Sequence, residues 1–161
     1  EDLIAHRLKN EKLVFRSSSK SINFKNLSKI FLSIYKNKLN NAESFVVSGG
    51  NFKKGKSVAV RVLSKKVNKF NFLLNNEIKK NLNYLSKFKN FILVIINNET
   101  SIPKKRERDI TLRYYGLGAQ IIKDFKVKNM ILLSRTEKKI IGLEGFGLRI
   151  KKQIIIKWKK R

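Results

Sequence analysis

Residues 91–96, FILVII, constrain the fold of this chain more than any other stretch. A short run filled with β-branched and aromatic side chains, and bounded by polar residues, reads as a strand buried on both faces. Upstream of it, Phe70, Leu73, Leu74, Ile78, Leu82, Leu85 and Phe88 recur at helical spacing, which predicts an amphipathic helix over 70–88. Earlier still, SVAVRVL at 57–63 alternates Val58, Val60 and Val62 against its other residues, the period of a half-buried strand. Strand, helix, strand in this order starts a layered α/β arrangement. The alternation continues with a helix over 111–125, interrupted early by Gly116 and Gly118, and a short strand at 130–133. A final, very basic strand is expected over 148–158.

The first third reads differently. Residues 2–14 carry apolar positions at Leu3, Ile4, Leu8, Leu13 and Val14, roughly helical in spacing. The serines at 17, 18 and 19 suggest a turn or loop. Residues 29–35 and 44–47 read as strands separated by a polar turn over 37–41, and Gly49, Gly50 and Gly55 punctuate a hairpin before residue 57. Residues 97–109 are polar, hold the only proline (Pro103) and the run KKRER, and read as a mobile loop. The expected class is α/β (α+β mixed), a mixed β-sheet with flanking helices and an antiparallel first third. At 161 residues this is one domain with room for a real core.

Charge enters because it is extreme. A formal net charge of +27 points to a polyanionic partner, such as nucleic acid or an anionic membrane surface. A competing explanation is compositional. The chain has 29 Lys, 19 Ile and 17 Asn but only 9 Arg, and the three abundant types all have A/T-rich codons. Dedicated nucleic-acid surfaces favour arginine, whose flat fork pairs with phosphate and stacks on bases. The compositional reading is preferred, and nucleic acid is not the favoured partner. Zero cysteine removes disulfides, thiolate metal sites and thiol catalysis together, and fits a reducing compartment. No apolar run approaches the roughly 20 residues a helical membrane span needs. A cytoplasmic protein without membrane association is expected.

The stretch 113–148, RYYGLGAQIIKDFKVKNMILLSRTEKKIIGLEGFGL, resembles the C-terminal part of GTP cyclohydrolase II, a riboflavin-pathway enzyme. Members of that family carry RDYGIGAQIL, then a strand, then LLTNNPxK and GLEGYGL. SVAVRVLSKK is similar to the family strand ending in RVHSEC, matching at Arg61, Val62 and Ser64. Residues 2–14, DLIAHRLKNEKLV, look like the segment that joins a 3,4-dihydroxy-2-butanone 4-phosphate synthase domain to the cyclohydrolase domain in fused riboflavin proteins. The resemblance therefore implies a linker helix over 1–16 following a synthase domain, and a cyclohydrolase II-like domain over 17–161. That synthase domain is the expected partner within the polypeptide, together with a homodimeric assembly.

The departures from the family pattern decide the expected chemistry. The family's zinc is held by three cysteine thiolates, one in HSEC and two in a CxC pair. Here Leu63, Ser64, Lys65 and Lys66 occupy the first position, and the region 72–76 offers no cysteine. Zinc needs thiolate, imidazole or carboxylate ligands, so two lysines oppose it by charge as well as by chemistry. The resemblance also implies an Asp-x-Arg pair; Arg113 matches the arginine, but Thr111 replaces the aspartate, and a hydroxyl is no base near neutral pH. No catalytic residue, no metal site and no cofactor is expected. What the resemblance leaves is an anion-binding remnant of Arg113, Ser134, Arg135, Lys138 and Lys139, open to a nucleotide or phosphate ligand.

Other residues carry less. Gly116-Leu117-Gly118 lacks the third glycine of a dinucleotide fingerprint and follows a polar loop. Glycines 116, 118, 145 and 147 read as turn positions. His6, the only histidine, reads as structural or exposed. Ser64 has no histidine partner in sequence for a nucleophilic role. Tyr115 and Phe146 read as packing residues, while Tyr114 and Trp158 have the basic neighbours of base-stacking aromatics. Three functions remain open: a non-catalytic cyclohydrolase-like companion of a synthase, a basic polyanion-binding module, and a nucleotide or sugar-phosphate sensor.

Overall fold

Alternation along the central strands decides which helix covers which face of the sheet. The computed structural model describes residues 3–24, 27–39, 41–52, 56–97, 107–135, 144 and 146–158. In chain order these form α1 (Leu3–Asn10), β1 (Val14–Phe24), β2 (Leu27–Asn37), β3 (Glu43–Gly49), β4 (Ser57–Lys65), a one-turn 3-10 helix (Phe72–Leu74) and α2 (Asn76–Leu85). They continue with β5 (Phe91–Asn97), α3 (Glu107–Asp124), β6 (Asn129–Ser134) and β7 (Ile150–Ile155). One seven-stranded sheet runs β1-β2-β3-β5-β4-β6-β7. The β1-β2-β3-β5 half is antiparallel and the β5-β4-β6-β7 half is parallel. The expected mixed sheet with flanking helices and an antiparallel first third is the fold observed.

The apolar run of β5 sits at the junction of the two halves and is buried along its whole length apart from Asn97. Ile92, Val94 and Ile96 face one core with Val58, Val60, Met130 and Leu132, and α3 covers it through Ala119, Ile121 and Ile122. Phe91, Leu93 and Ile95 face the other core, which α2 covers through Ile78, Leu82 and Leu85. A strand enclosed on both faces has no need of alternating polarity, which is why this run is continuously apolar.

Several expectations are corrected. The serines at 17–19 lie in β1, not in a turn; β1 is an edge strand with an almost wholly exposed surface, and Ser17 Oγ donates to the Ile34 carbonyl across the pair. Nine residues of β1 pair with β2, Ser18 and Ser19 among them and Ser17 at a bulge between Arg16 and Ser18, and this ladder overrides their turn preference. The hairpin before residue 57 does not form, because β5 inserts between β3 and β4. The single helix over 70–88 is broken at Asn75. Its side chain accepts from the Glu77 and Ile78 amides at 3.0 and 3.1 Å, an N-cap that starts α2 afresh and leaves Phe72–Leu74 as a separate turn. Gly116 and Gly118 lie inside α3 rather than in turns. Gly147, at φ +89°, does occupy a turn conformation that favours glycine, and Gly145 lies outside the described residues.

Candidate functional site

β4 is where the chain reverses its direction of travel across the sheet. Through α2 the chain moves to β5 on one side of β4, and through α3 it returns past β4 to β6 on the other. In open α/β sheets the crevice beyond the C-terminal ends of strands at such a reversal is the usual ligand position. The C-terminal ends of β4 and β6 supply Arg61, Ser64, Lys65, Ser134 and Arg135 there.

The pleat divides these residues between the two faces. Ser64 follows Val60 and Val62 toward α3, and Ser134 follows Met130 and Leu132 to that same face. Ser134 is buried and its Oγ accepts from Gln153 Nε2 at 3.0 Å. Ser64 Oγ is enclosed without a hydrogen-bond partner among the described residues. Arg113 lies on α3, which covers this face, while Lys138 and Lys139 lie outside the described residues.

Arg135 turns to the α2 side. Its guanidinium rests 4.9 Å from the centre of the Trp158 ring, and the Lys80 ammonium rests 4.8 Å from the same ring. Tyr84 meets Trp158 edge-on at 6.1 Å. Below them Arg61 is 7% exposed, and its Nε donates to Asn81 Oδ1 at 3.1 Å. Asn81 is held in turn by donating to the Glu77 carbonyl at 2.8 Å. Burial pushes the Arg61 pKa down, the Glu77 carboxylate pulls it back up, and the charge of Arg135 lowers it again. Glu77 itself is paired with Lys65. No carboxylate is ion-paired to Arg61 or Arg135 among the described residues.

Arg61, Asn81 and Lys80 were not among the site residues expected from sequence, and Trp158 was singled out only as a base-stacking aromatic. The alternation of β4 is the signal that would have found Arg61: it occupies an inward position in a strand whose neighbours are apolar. Lys80 and Asn81 are separated from it by a turn and a helix, so nothing local points to them.

The zinc implied by the family resemblance finds no ligand set. Ser64 offers a neutral hydroxyl, Lys65 is paired with Glu77, and Lys66 projects into solvent. The connection that follows buries Phe72 against Phe45, with rings stacked at 5.3 Å, and exposes Phe70 and Leu74. None of these is a zinc donor, and the chain has no cysteine. Among the described residues no group of three histidine, cysteine or acidic side chains is placed to hold a metal. The residues present do not fit the ion.

A cavity of about 610 Å³ opens between residues 49–52 and 86–91, at the N-terminal end of β5, and includes none of the expected site residues. Tyr115 and Phe146 pack into the α3-side core as expected, and His6 is exposed on α1. Among the described residues no helix is long and apolar enough to cross a membrane.

Comparison with known proteins follows this geometry. The riboflavin biosynthesis protein RibBA of Aquifex aeolicus is 29% identical over 189 residues, covering 97% of this chain and 45% of that protein. RibBA of Bacillus subtilis is 54% identical over 43 residues, 27% of this chain. A 3,4-dihydroxy-2-butanone 4-phosphate synthase of Sulfurospirillum multivorans is 34% identical over 76 residues, 47% of this chain and 19% of that protein. The crystal structure of RibBX, a two-domain 3,4-dihydroxy-2-butanone 4-phosphate synthase from A. baumannii, superposes with a TM-score of 0.69. It is 23% identical, over 96% of this chain and 44% of that one, so the likeness is one of fold. The chain spans less than half the length of these relatives. A sequence model described as GTP cyclohydrolase II matches residues 70–155, from the 3-10 turn through β7. With more than half of its residues inside that match, this chain belongs to the GTP cyclohydrolase II family.

Proposed function

We propose that this domain does not perform the cyclohydrolase reaction and serves as a structural or regulatory companion to a 3,4-dihydroxy-2-butanone 4-phosphate synthase domain. One observation carries the reading: the end of β4 and the connection after it present lysines, a buried phenylalanine and exposed apolar residues where the family pattern requires thiolates. Opening a purine ring by metal-assisted hydrolysis requires a Lewis acid or an activated water, and no side chain here supplies either. The companion role is supported by one relative named for riboflavin biosynthesis and another named as a 3,4-dihydroxy-2-butanone 4-phosphate synthase, and by the lead segment that resembles an interdomain linker. The test is formate release from GTP with added zinc, measured alongside bound metal. The expected result is neither turnover nor stoichiometric zinc; finding both overturns the proposal.

The buried Arg61 favours a second reading, that of a phosphate-bearing ligand sensor. A guanidinium removed from water without an ion-paired carboxylate is costly, and an anion between Arg61, Arg135 and Lys80 would offset that cost. Calorimetric titration with GTP, ribulose 5-phosphate and inorganic phosphate tests it. Saturable binding that Arg61→Met abolishes supports the sensor; no heat from any of the three removes it. RNA is the remaining alternative, and affinity for mixed RNA no greater than that of any equally basic protein at about 150 mM salt would exclude it.

A further inference from the structure

The lead segment, residues 3–16, makes contacts that a flexible tether has no reason to make. Three residues of α3 receive it: Gly116, Gln120 and Asp124. Their spacing of four places them on one face of the helix. Gly116 provides room. A Cβ there would stand 2.8 Å from Leu8 Cδ1 and 3.0 Å from both Leu8 Cβ and Phe146 Cε1, so α1 lies as close as only glycine permits. Gln120 provides the polar link. Its Nε2 donates to the Leu8 and Glu11 carbonyls at 2.8 and 2.7 Å. Its Oε1 accepts from the Leu13 and Val14 amides at 2.8 and 3.1 Å. One side-chain amide thus satisfies the end of α1 and the start of β1 at once, leaving none of its own capacity unused.

Asp124 closes the row. It takes the Lys12 ammonium at 3.3 Å, the Tyr35 hydroxyl at 2.5 Å and the Arg16 guanidinium at 3.6 Å. Arg16 also donates to the Tyr35 hydroxyl at 3.1 Å and lies 4.8 Å from the centre of the Phe125 ring. Between these fixings Leu8, Leu13 and Val14 are 3% exposed or less. β1 is an edge strand that pairs only with β2, from Val14↔Asn37 onward. Residues 3–12 could therefore leave α3 without any strand pairing being lost, whereas Leu13 also accepts from the Lys38 amide and Val14, Phe15 and Arg16 are paired with β2.

We infer that residues 3–16 are a latched strap, held by the Gly116–Gln120–Asp124 row of α3 with Gln120 as the latch, which fixes the direction from which the chain enters the domain. The strap deepens the companion reading, because a companion domain joined ahead of it would be held rigidly and its displacement would be felt at α3. The latch itself is intramolecular and is measured without any companion, so either idea can fail alone.

The native chain has no cysteine, so paired nitroxide labels at Leu3→Cys and Lys151→Cys report one distance without background. Both positions are exposed. The parent should give a single narrow distance distribution. Gln120→Leu, which keeps the side-chain bulk but none of the four hydrogen bonds, should at least double its width. Amide exchange at Leu13 and Val14 should accelerate at least tenfold in that variant, while the β4 and β5 amides keep their protection. If Gln120→Leu does not fold, Gln120→Glu decides: it retains the accepting half of the latch, sets a carboxylate against two carbonyls, and should broaden the distribution to a lesser degree. A broad distribution in the parent overturns the inference, as does an unchanged narrow one in the folded variant.

Discussion

Two regions of this molecule carry the resemblance to its family, and they differ in how their polar groups are accounted for. Along the α3 row, Gly116, Gln120 and Asp124 each have a specific contact that requires that residue type. At the end of β4 and in the connection to α2, Ser64 Oγ is enclosed without a partner among the described residues, Arg61 is buried against an amide, and Phe70 and Leu74 are 82% and 70% exposed. The first region holds the fold together. On the proposed reading, the second sits where the family pattern places its metal. The residues of the first region are fixed by the contacts they make; on the companion reading proposed above, those of the second are no longer held to the task of binding an ion.

The largest effect expected is at Phe72, a buried aromatic anchor of the second region. Phe72→Ala removes a ring that is 2% exposed and stacked on Phe45, and should cost about 3–5 kcal/mol in denaturant unfolding. A cost near zero would show that the whole connection is dispensable. Next comes the latch region: Gly116→Ala forces a methyl against Leu8 and Phe146, and should cost about 1–3 kcal/mol. If it is neutral, α1 is less closely docked than the structure shows.

Arg61→Met sharpens the comparison from the other side. Exchanging a buried guanidinium that, among the described residues, has no ion-paired carboxylate for an apolar side chain should leave the domain at least as stable, within about 1 kcal/mol or better. A marked loss would mean that the Asn81 contact is structural in the same sense as the Gln120 contacts.

Asp124 predicts a pH dependence. Burial raises its pKa, but hydrogen bonds from Tyr35 and Lys12 and the charges of Lys12 and Arg16 more than offset this, leaving it below the ordinary carboxylate value. A carboxyl depressed in the folded state adds stability that is present above the unfolded pKa of about 4 and lost as pH falls through the folded value. The melting temperature should therefore fall more steeply below about pH 4 in the parent than in Asp124→Asn; parallel curves would remove Asp124 from the account. The smallest effect is expected from Phe70→Ser and Leu74→Ser, each within about 0.5 kcal/mol of the parent because both side chains are already in water.

Much of the fold could be read from single elements. The apolar run of β5, the alternation of β4 and the stripe of α2 gave strand, strand and helix in the right places because burial on one or both faces imposes those periods. The errors came where a distant partner decides. Ser17, Ser18 and Ser19 adopt strand geometry because β2 offers them a ladder, and β5 separates β3 from β4 although nothing near residue 50 announces it. The split at Asn75 was locally legible, since asparagine before an acidic first turn is a capping signal, but the continuous apolar stripe concealed it.

The missing thiolates, the overall charge and the family pattern are properties of the chain itself, because they depend on which residues are present and in what order. Which residues share a site is not. Ser134 and Arg135 are adjacent in sequence, yet the pleat sends one toward α3 and the other to Trp158 beside α2. Gln120 meets Leu8 and Leu13 across more than a hundred residues only because α3 packs beside α1. Periodicity is a local consequence of backbone geometry; a polar contact between distant segments exists only once the whole sheet has brought them within hydrogen-bond range.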